Sequence, residues 1–312
     1  MEKKRTPGVR LMEGLMRLLA RLPLGFHYKM ARCVSWLVGD VFRYRRDVVS
    51  VNIARSFPDT DYDVLKDITK GFYRHFGELL AEAVWFGGRR GEKGRQELID
   101  SDIVVIDNSD EFNDFYDRSS SVMLLNSHAG NWELMGGVEQ YDRSAPGRRN
   151  WSHREVVVIY RALDSKLWDR VMGDGRCAPV CDRNYEGYVE GGSILRYAIA
   201  HRHEKKLYIF NTDQFPYHNT VHYDVGTFLH QRTEAMGGAA VLAHKLGMSV
   251  AYIRWTQVSQ GHYRMTFVPL CENASESAPE DILKLFYKHL EEDIQAQPWN
   301  YLWTHKRWRI TR

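Results

Sequence analysis

The sequence predicts an α/β fold: a central, mostly parallel sheet flanked by helices, with a helical segment ahead of it. Two observations carry this expectation. From residue 103 onward, apolar runs of strand length alternate with amphipathic stretches of helix length. Before that point, residues 10 to 57 carry helical spacing and stop at Phe57-Pro58-Asp59. The implied organisation is an N-terminal helical segment over 1–58 and a main domain over 59–312.

The elements follow in order. Residues 61 to 87 read as a longer helix pair closed by Gly87-Gly88, and Arg89 to Arg95 as a charged, glycine-bearing loop. Ile103 to Ile106 is a strand by its β-branched run, and residues 111 to 118 are a helix. Val122-Met123-Leu124-Leu125 makes Ser121 to Asn126 a strand, and Asn131 then caps a helix to Gln140. Val156-Val157-Val158-Ile159 marks a strand over Glu155 to Arg161; residues 164 to 172 and 189 to 201 read as helices, and Leu207 to Asn211 as a strand. Thr233 to Leu246 reads as a helix ended by Gly247, the residue type that favours a left-handed cap. Met248 to Trp255 and His262 to Pro269 form a hairpin around Gln260-Gly261, and residues 279 to 296 an amphipathic helix.

Composition narrows the class. The chain has 312 residues, 44% of them hydrophobic and 27% charged, which is globular usage. Its 43 basic and 40 acidic residues leave a net charge of +3, too balanced to argue for a nucleic-acid partner. Cys33, Cys177, Cys181 and Cys271 are scattered, so reduced thiols are the expectation, and Cys177/Cys181 has no second pair to complete a metal site. No apolar run is long enough to span a bilayer. Residues 10 to 22 instead sort on a helical wheel, with Arg10, Glu13, Arg17 and Arg21 on one face and Leu11, Leu15, Leu18, Leu19 and Leu22 on the other. Such a helix, preceded by Lys3, Lys4 and Arg5 and followed by Arg43, Arg45 and Arg46, can lie in a membrane interface; the competing meaning is a helix packed on the domain.

The chemistry concentrates at His128-Ala129-Gly130-Asn131-Trp132-Glu133. It follows an apolar strand, where an α/β protein places its active groups. A histidine there can act as general base, and a carboxylate can hold its tautomer and stabilise the imidazolium. Five residues along one helix would put the two side chains about 140° apart, so His128 and Glu133 can meet only across a loop-to-helix junction. Arg161 and Asp213-Gln214 follow two further strands, which brings them toward the same sheet edge. Arg161 can bind phosphate, stabilise an oxyanion or form a structural ion pair; Asp213 and Gln214 can bind substrate or simply cap a turn. Asn126 can satisfy the loop backbone. Arg143, Arg148, Arg149 and Arg154 form a polar loop that can steer an anion or be plainly solvated.

Several blocks in one order resemble a known family. His128-Ala129-Gly130-Asn131-Trp132-Glu133-Leu134 is similar to the H-x4-[DE] motif of bacterial lipid A biosynthesis (late) acyltransferases, within the glycerolipid and lysophospholipid acyltransferase group. Ile159-Tyr160-Arg161-Ala162-Leu163 resembles its Y-R-P-L block with Ala162 for proline, and Asp213-Gln214 its D-Q block. Gly226-Thr227-Phe228, Thr233 and Gly237 loosely resemble another block with the order changed, and Trp299 to Trp308 its W-x-W-x-H-x-R-W ending. Phe42 to Arg46, Asn52 to Pro58 and Phe72 to Phe76 match its early region, so the resemblance spans roughly residues 35 to 310.

The resemblance implies an O-acyltransferase without a bound cofactor or metal. Its donor would be an acyl thioester of acyl carrier protein or coenzyme A, and its acceptor a hydroxyl of a membrane lipid, first a lipid A precursor. It implies His128 and Glu133 as the catalytic pair, and Arg161, Asp213, Gln214 and Asn131 as substrate-binding. The oxyanion would be met by N–H groups at the start of the 131–140 helix or by Arg161. The implied location is the cytoplasmic face of the bacterial inner membrane, peripherally held. Another glycolipid, lysolipid or aminolipid acceptor, thioester hydrolysis, and a non-catalytic lipid-binding role are the alternatives.

Overall fold

In a computed structural model, which describes residues 7–180, 182, 184–216 and 220–308, the chain is an α/β protein. Its helices are α1 Pro7–Leu19, α2 Leu24–Trp36, α3 Arg46–Ser56, α4 Tyr62–Phe86, α5 Gly91–Ser101, α6 Ser109–Arg118, α7 Val138–Tyr141, α8 Lys166–Arg176, α9 Ile194–Ala200, α10 Gly238–Leu246 and α11 Pro279–Ala296. Its strands are β1 Val104–Ile106, β2 Val122–Asn126, β3 Val156–Tyr160, β4 Tyr188–Glu190, β5 Leu207–Asn211, β6 His222–Phe228, β7 Gln231–Met236, β8 Ser249–Ser259 and β9 His262–Cys271. A seven-stranded sheet runs in the order β1-β9-β8-β2-β5-β3-β4, and β6 pairs β7 in a separate ribbon. Every pairing in the large sheet is parallel except the β8–β9 hairpin.

The central strand shows why the sequence runs read as they do. All five residues of β2 are buried, as a parallel strand covered on both faces demands. Met123 and Leu125 point into one core, with Phe286, Leu290 and Tyr252. Val122 and Leu124 point into the other, with Phe86, Phe115 and Leu134. The N-terminal segment does not stand apart at residue 58. Val49 and Ile53 of α3 belong to the first of these cores, and Asn52 Nδ2 donates to the carbonyls of Trp303 and His305 at 2.8 and 2.9 Å.

The structure corrects several local expectations. Residues 62–86 form one helix rather than a pair; its apolar face packs continuously, so nothing interrupts it. The charged loop expected over 89–95 opens α5, because Gly91, its first residue, takes φ +68° and Arg89 is held by Glu97 and the Ala20 carbonyl. The helix expected from Asn131 begins as a 3₁₀ turn, Trp132–Gly137. Thr233 lies in β7 rather than in a helix, β6 precedes it, and β4 occupies the start of the expected 189–201 helix. Short polar strands of this kind lack the apolar run that betrays the central ones.

Packing of α11 on the sheet gives a direct test. Phe286 is fully buried against Tyr252, whereas its neighbour Leu285 is 41% exposed. Phe286→Ala is expected to destabilise the protein by roughly 3–5 kcal/mol and Leu285→Ala by less than about 1, read by urea unfolding.

Candidate active site

The parallel register of β2 and β5 builds the site. Asn126 lies opposite Asn211, so the residues two further along, His128 and Asp213, emerge side by side at the carboxyl edge. The paired strand ends are tied by Asn126 Nδ2 donating to Asn211 Oδ1 at 2.7 Å, while Asn126 Oδ1 accepts from Trp255 Nε1 at 3.0 Å. Asn126 thus binds side chains rather than the loop backbone.

His128 Nδ1 is 2.7 Å from Asp213 Oδ1, and the His128 backbone N–H donates to Asp213 Oδ2 at 3.2 Å. Burial of Asp213 opposes its charge, but the His128 contacts hold its carboxyl below the ordinary range. An ionised Asp213 fixes the proton on Nδ1, which leaves Nε2 as the acceptor. There Gln214 Nε2 donates to His128 Nε2 at 3.1 Å. The imidazole lies edge-on to Trp132, ring centroids 4.8 Å apart. The orienting carboxylate is therefore Asp213, expected from the sequence to bind substrate, and not Glu133.

Glu133 is occupied elsewhere. Arg176 Nε and Nη2 donate to its two carboxylate oxygens, both at 2.6 Å, and Trp132 Nε1 donates to Oε1 at 3.1 Å. Burial weakens the Arg176 charge, yet the fork onto Glu133 and the Tyr188 hydroxyl at 3.1 Å keep its pKa above the usual value. No sequence motif flags Arg176; it ends α8 in an unremarkable Gly-Asp-Gly-Arg run. Asn131 caps the turn as expected but does not line the cavity, contrary to its expected substrate-binding role. It is fully buried, its Oδ1 accepts from the Glu133 N–H at 3.2 Å, and its Nδ2 donates to Glu82 at 2.7 Å. The backbone N–H groups of Glu133 and Leu134 bond to Asn131 and so are not open to an oxyanion.

Two features hold the turn. Gly130 has φ +65°, and a Cβ there would come within 2.5 Å of Trp255, so only glycine fits. The C-terminal segment then clamps both loops. Asn300 Oδ1 accepts from the Gly130 N–H at 2.9 Å, Leu302 N–H donates to the His128 carbonyl at 3.1 Å, and Phe215 N–H donates to His305 Nε2 at 3.1 Å. The tryptophan-rich ending thus supports the loops, with Trp303 and Arg307 buried. Trp308 Nε1 reaches Thr233 Oγ1 at 2.9 Å, which gives the changed block a structural use.

His128, Gln214, Glu133, Arg176 and Arg161 face a cavity of about 700 Å³. Its walls include Met135, Val158, Ile159, Val180, Ile194 and Phe210. That is the size and apolar character of a ligand pocket. Arg161 lies just past β3 and is exposed at the cavity. The arginines of the 142–154 loop are paired: Arg143 with Asp102, Arg148 with Asp114, Arg149 with Glu139 and Arg154 with Asp182. Among the described residues no cluster of His, Cys, Asp or Glu suits a metal; Cys181 and His218 lie outside them.

An imidazole oriented by a buried carboxylate at the carboxyl edge of a parallel sheet, opening on an apolar cavity, has the geometry of an enzyme site that takes a substrate with a large apolar part. The chain matches the bacterial lipid A biosynthesis acyltransferase family over residues 2–310, and it belongs to that family. It is an acyltransferase. No curated protein matches it.

Asp213→Asn offers one oxygen where the carboxylate offers two, so one of its two His128 contacts is lost. Transfer is expected to fall on the order of 10²–10⁴-fold, with the acyl-donor KM little changed, in a steady-state assay.

Proposed function

We propose that this enzyme moves a fatty acyl group from a thioester of acyl carrier protein or coenzyme A to a hydroxyl of a lipid A precursor. The observation that carries the reading is the His128–Asp213 pair at the mouth of an apolar cavity. The acceptor hydroxyl takes the place that the Gln214 amide holds on Nε2. His128 removes its proton as the oxygen attacks the thioester carbonyl. The oxyanion collapses, the C–S bond breaks, and the imidazolium returns the proton to the departing thiolate. Asp213 stays ionised throughout and stabilises the imidazolium. No protein acyl intermediate is needed. With the Glu133 and Leu134 N–H groups engaged, the oxyanion and acceptor phosphates fall to Arg161 and to the Arg176 N–H groups that Glu133 and Tyr188 do not use. Glu133 serves by holding Arg176 at the cavity wall.

We further propose that the enzyme sits on the cytoplasmic face of the inner membrane. On α1 the inward side carries the buried Glu13, paired with Arg170, and the half-buried Met12, Met16 and Leu19, while Arg17 pairs with Asp174 and stays exposed. The leucine face is turned outward, with Leu11, Leu15 and Leu18 at 76%, 49% and 62% exposure. Phe26, Met30, Trp36 and Phe42 continue this apolar surface on α2 and just after it. Exposed leucines beside exposed arginines are the makeup of an interfacial helix. Arg45 and Arg46 donate to the Thr304 and Gly39 carbonyls, so the basic flank rests more on Arg10 and Arg21. Among the described residues no helix is long and apolar enough to cross a membrane.

Three measurements test these readings. Mass spectrometry of membrane lipids from cells carrying wild type or His128→Ala is expected to show one acyl chain missing from the acceptor in the variant; unchanged lipids would overturn the catalytic role. Purified enzyme should form free fatty acid far more slowly than acylated lipid when acceptor is present, or it is a hydrolase. Replacing Leu11, Leu15 and Leu18 by Ser is expected to weaken co-sedimentation with anionic vesicles by more than about tenfold, since each buried leucine contributes roughly 1.5–3 kcal/mol.

A further inference from the structure

Beneath the catalytic turn lies a buried carboxylate that the reaction does not touch. Glu82, in the last turns of α4, is fully buried. Its Oε1 accepts from the Tyr28 hydroxyl of α2 at 2.8 Å. Its Oε2 accepts from Asn131 Nδ2 at 2.7 Å and from the Tyr263 hydroxyl of β9 at 3.0 Å. Asn131 is the residue whose Oδ1 holds the Glu133 N–H, so it sets where the His128 loop ends and the 3₁₀ turn begins. Asn131 is therefore used from both ends, one to the turn and one to Glu82.

The arrangement is costly and specific. A buried carboxylate is tolerated only when its lone pairs are met, and three donors from three elements converge on this one. Burial pushes its pKa up to about 7, against the pull of the Asn131, Tyr28 and Tyr263 donors, and Glu78 one turn away pushes in the same direction as burial. Tyr141 of α7 also feels the Glu82 charge. No cation appears among these neighbours. A leucine or methionine would fill the same space without these costs, so packing alone does not explain a carboxylate here.

We infer that Glu82 is a positioning residue for the transfer reaction, anchoring the His128–Glu133 turn to α2, α4 and β9 through Asn131. Its acceptor oxygen clamps the Asn131 amide, and the amide carbonyl in turn fixes the Glu133 N–H, with Glu133 then presenting its carboxylate to Arg176. Misplacing this turn by a fraction of an ångström costs rate rather than substrate binding. The inference rests on the general-base reading of His128.

An exchange of partners tests it. Asn131→Asp sets two carboxyls 2.7 Å apart, which must share a proton or part. The variant should lose roughly ten- to hundredfold in kcat with KM for the acyl thioester nearly unchanged. That loss, taken as a ratio to wild type, should deepen as pH rises above 7 and shrink toward pH 5. Adding Glu82→Gln restores a donor facing an acceptor, with the roles reversed, and should return kcat to within about threefold of Glu82→Gln alone. Recovery in the double variant supports the inference. A double variant that multiplies the two losses, or that fails to fold or to regain kcat, overturns it. So does an Asn131→Asp chain with wild-type kcat. If the single variant does not fold, a folded and active double variant is itself the rescue. His128→Ala measured alongside separates the two levels: full activity there sinks the general-base reading, whereas an inactive His128→Ala with no rescue sinks only the role of Glu82. In thermal unfolding, wild-type stability conferred by Glu82 is complete below its ordinary pKa of 4.5 and erodes as pH rises through about 7, because the folded state holds the proton more tightly; Glu82→Gln should flatten that slope.

Discussion

Everything at the active centre depends on the parallel pairing of β2 with β5. A slip of one residue would turn every buried side chain of β2 to the opposite face, and both faces are packed. The register is therefore fixed by two cores at once. It delivers His128 and Asp213, which are 85 positions apart in the chain, to a 2.7 Å contact. The Asn126–Asn211 amide bond at the ends of the same two strands locks the last step of that pairing. A carboxylate brought in by a neighbouring strand inherits the rigidity of the sheet. One brought in by the same loop would share only the precision of a turn.

The second constraint is the cost of burying polar groups. The His128 turn exposes few of its own backbone groups, so each needs a partner from elsewhere. Asn300 and Leu302 come from the C-terminal segment, and Asn52 of α3 binds that segment in turn. Glu82 and Tyr28 reach in from the helical layer. Residues from both ends of the chain thus meet at one loop. This is why motifs with no evident chemistry, such as the tryptophan-rich ending, accompany the histidine: they satisfy and wall in a turn that would otherwise leave donors orphaned.

The outer surface follows the same logic in reverse. Glu13 finds a guanidinium partner and Arg17 a carboxylate partner on α8, and Leu11, Leu15 and Leu18 of α1 are left pointing away from the domain. α8 also carries Arg176 into the cavity. The apolar exterior and the reactive cavity are thereby built on opposite sides of one helix.

The sequence by itself determined the class of fold, the central strands and the position of His128 at the carboxyl edge of the sheet. Buried parallel strands must be continuous apolar runs, and a residue following such a run sits at the carboxyl edge whatever its partners are. It also showed Arg161 and Gln214 at that edge. It placed Glu133 beside His128 because local spacing is all that a linear pattern can weigh. Only the tertiary structure decided that Asp213 orients the imidazole, that Arg176 claims Glu133, and that Asn131 turns inward to Glu82. Strand order is set by packing of whole faces, and no single segment encodes which strand will become its neighbour.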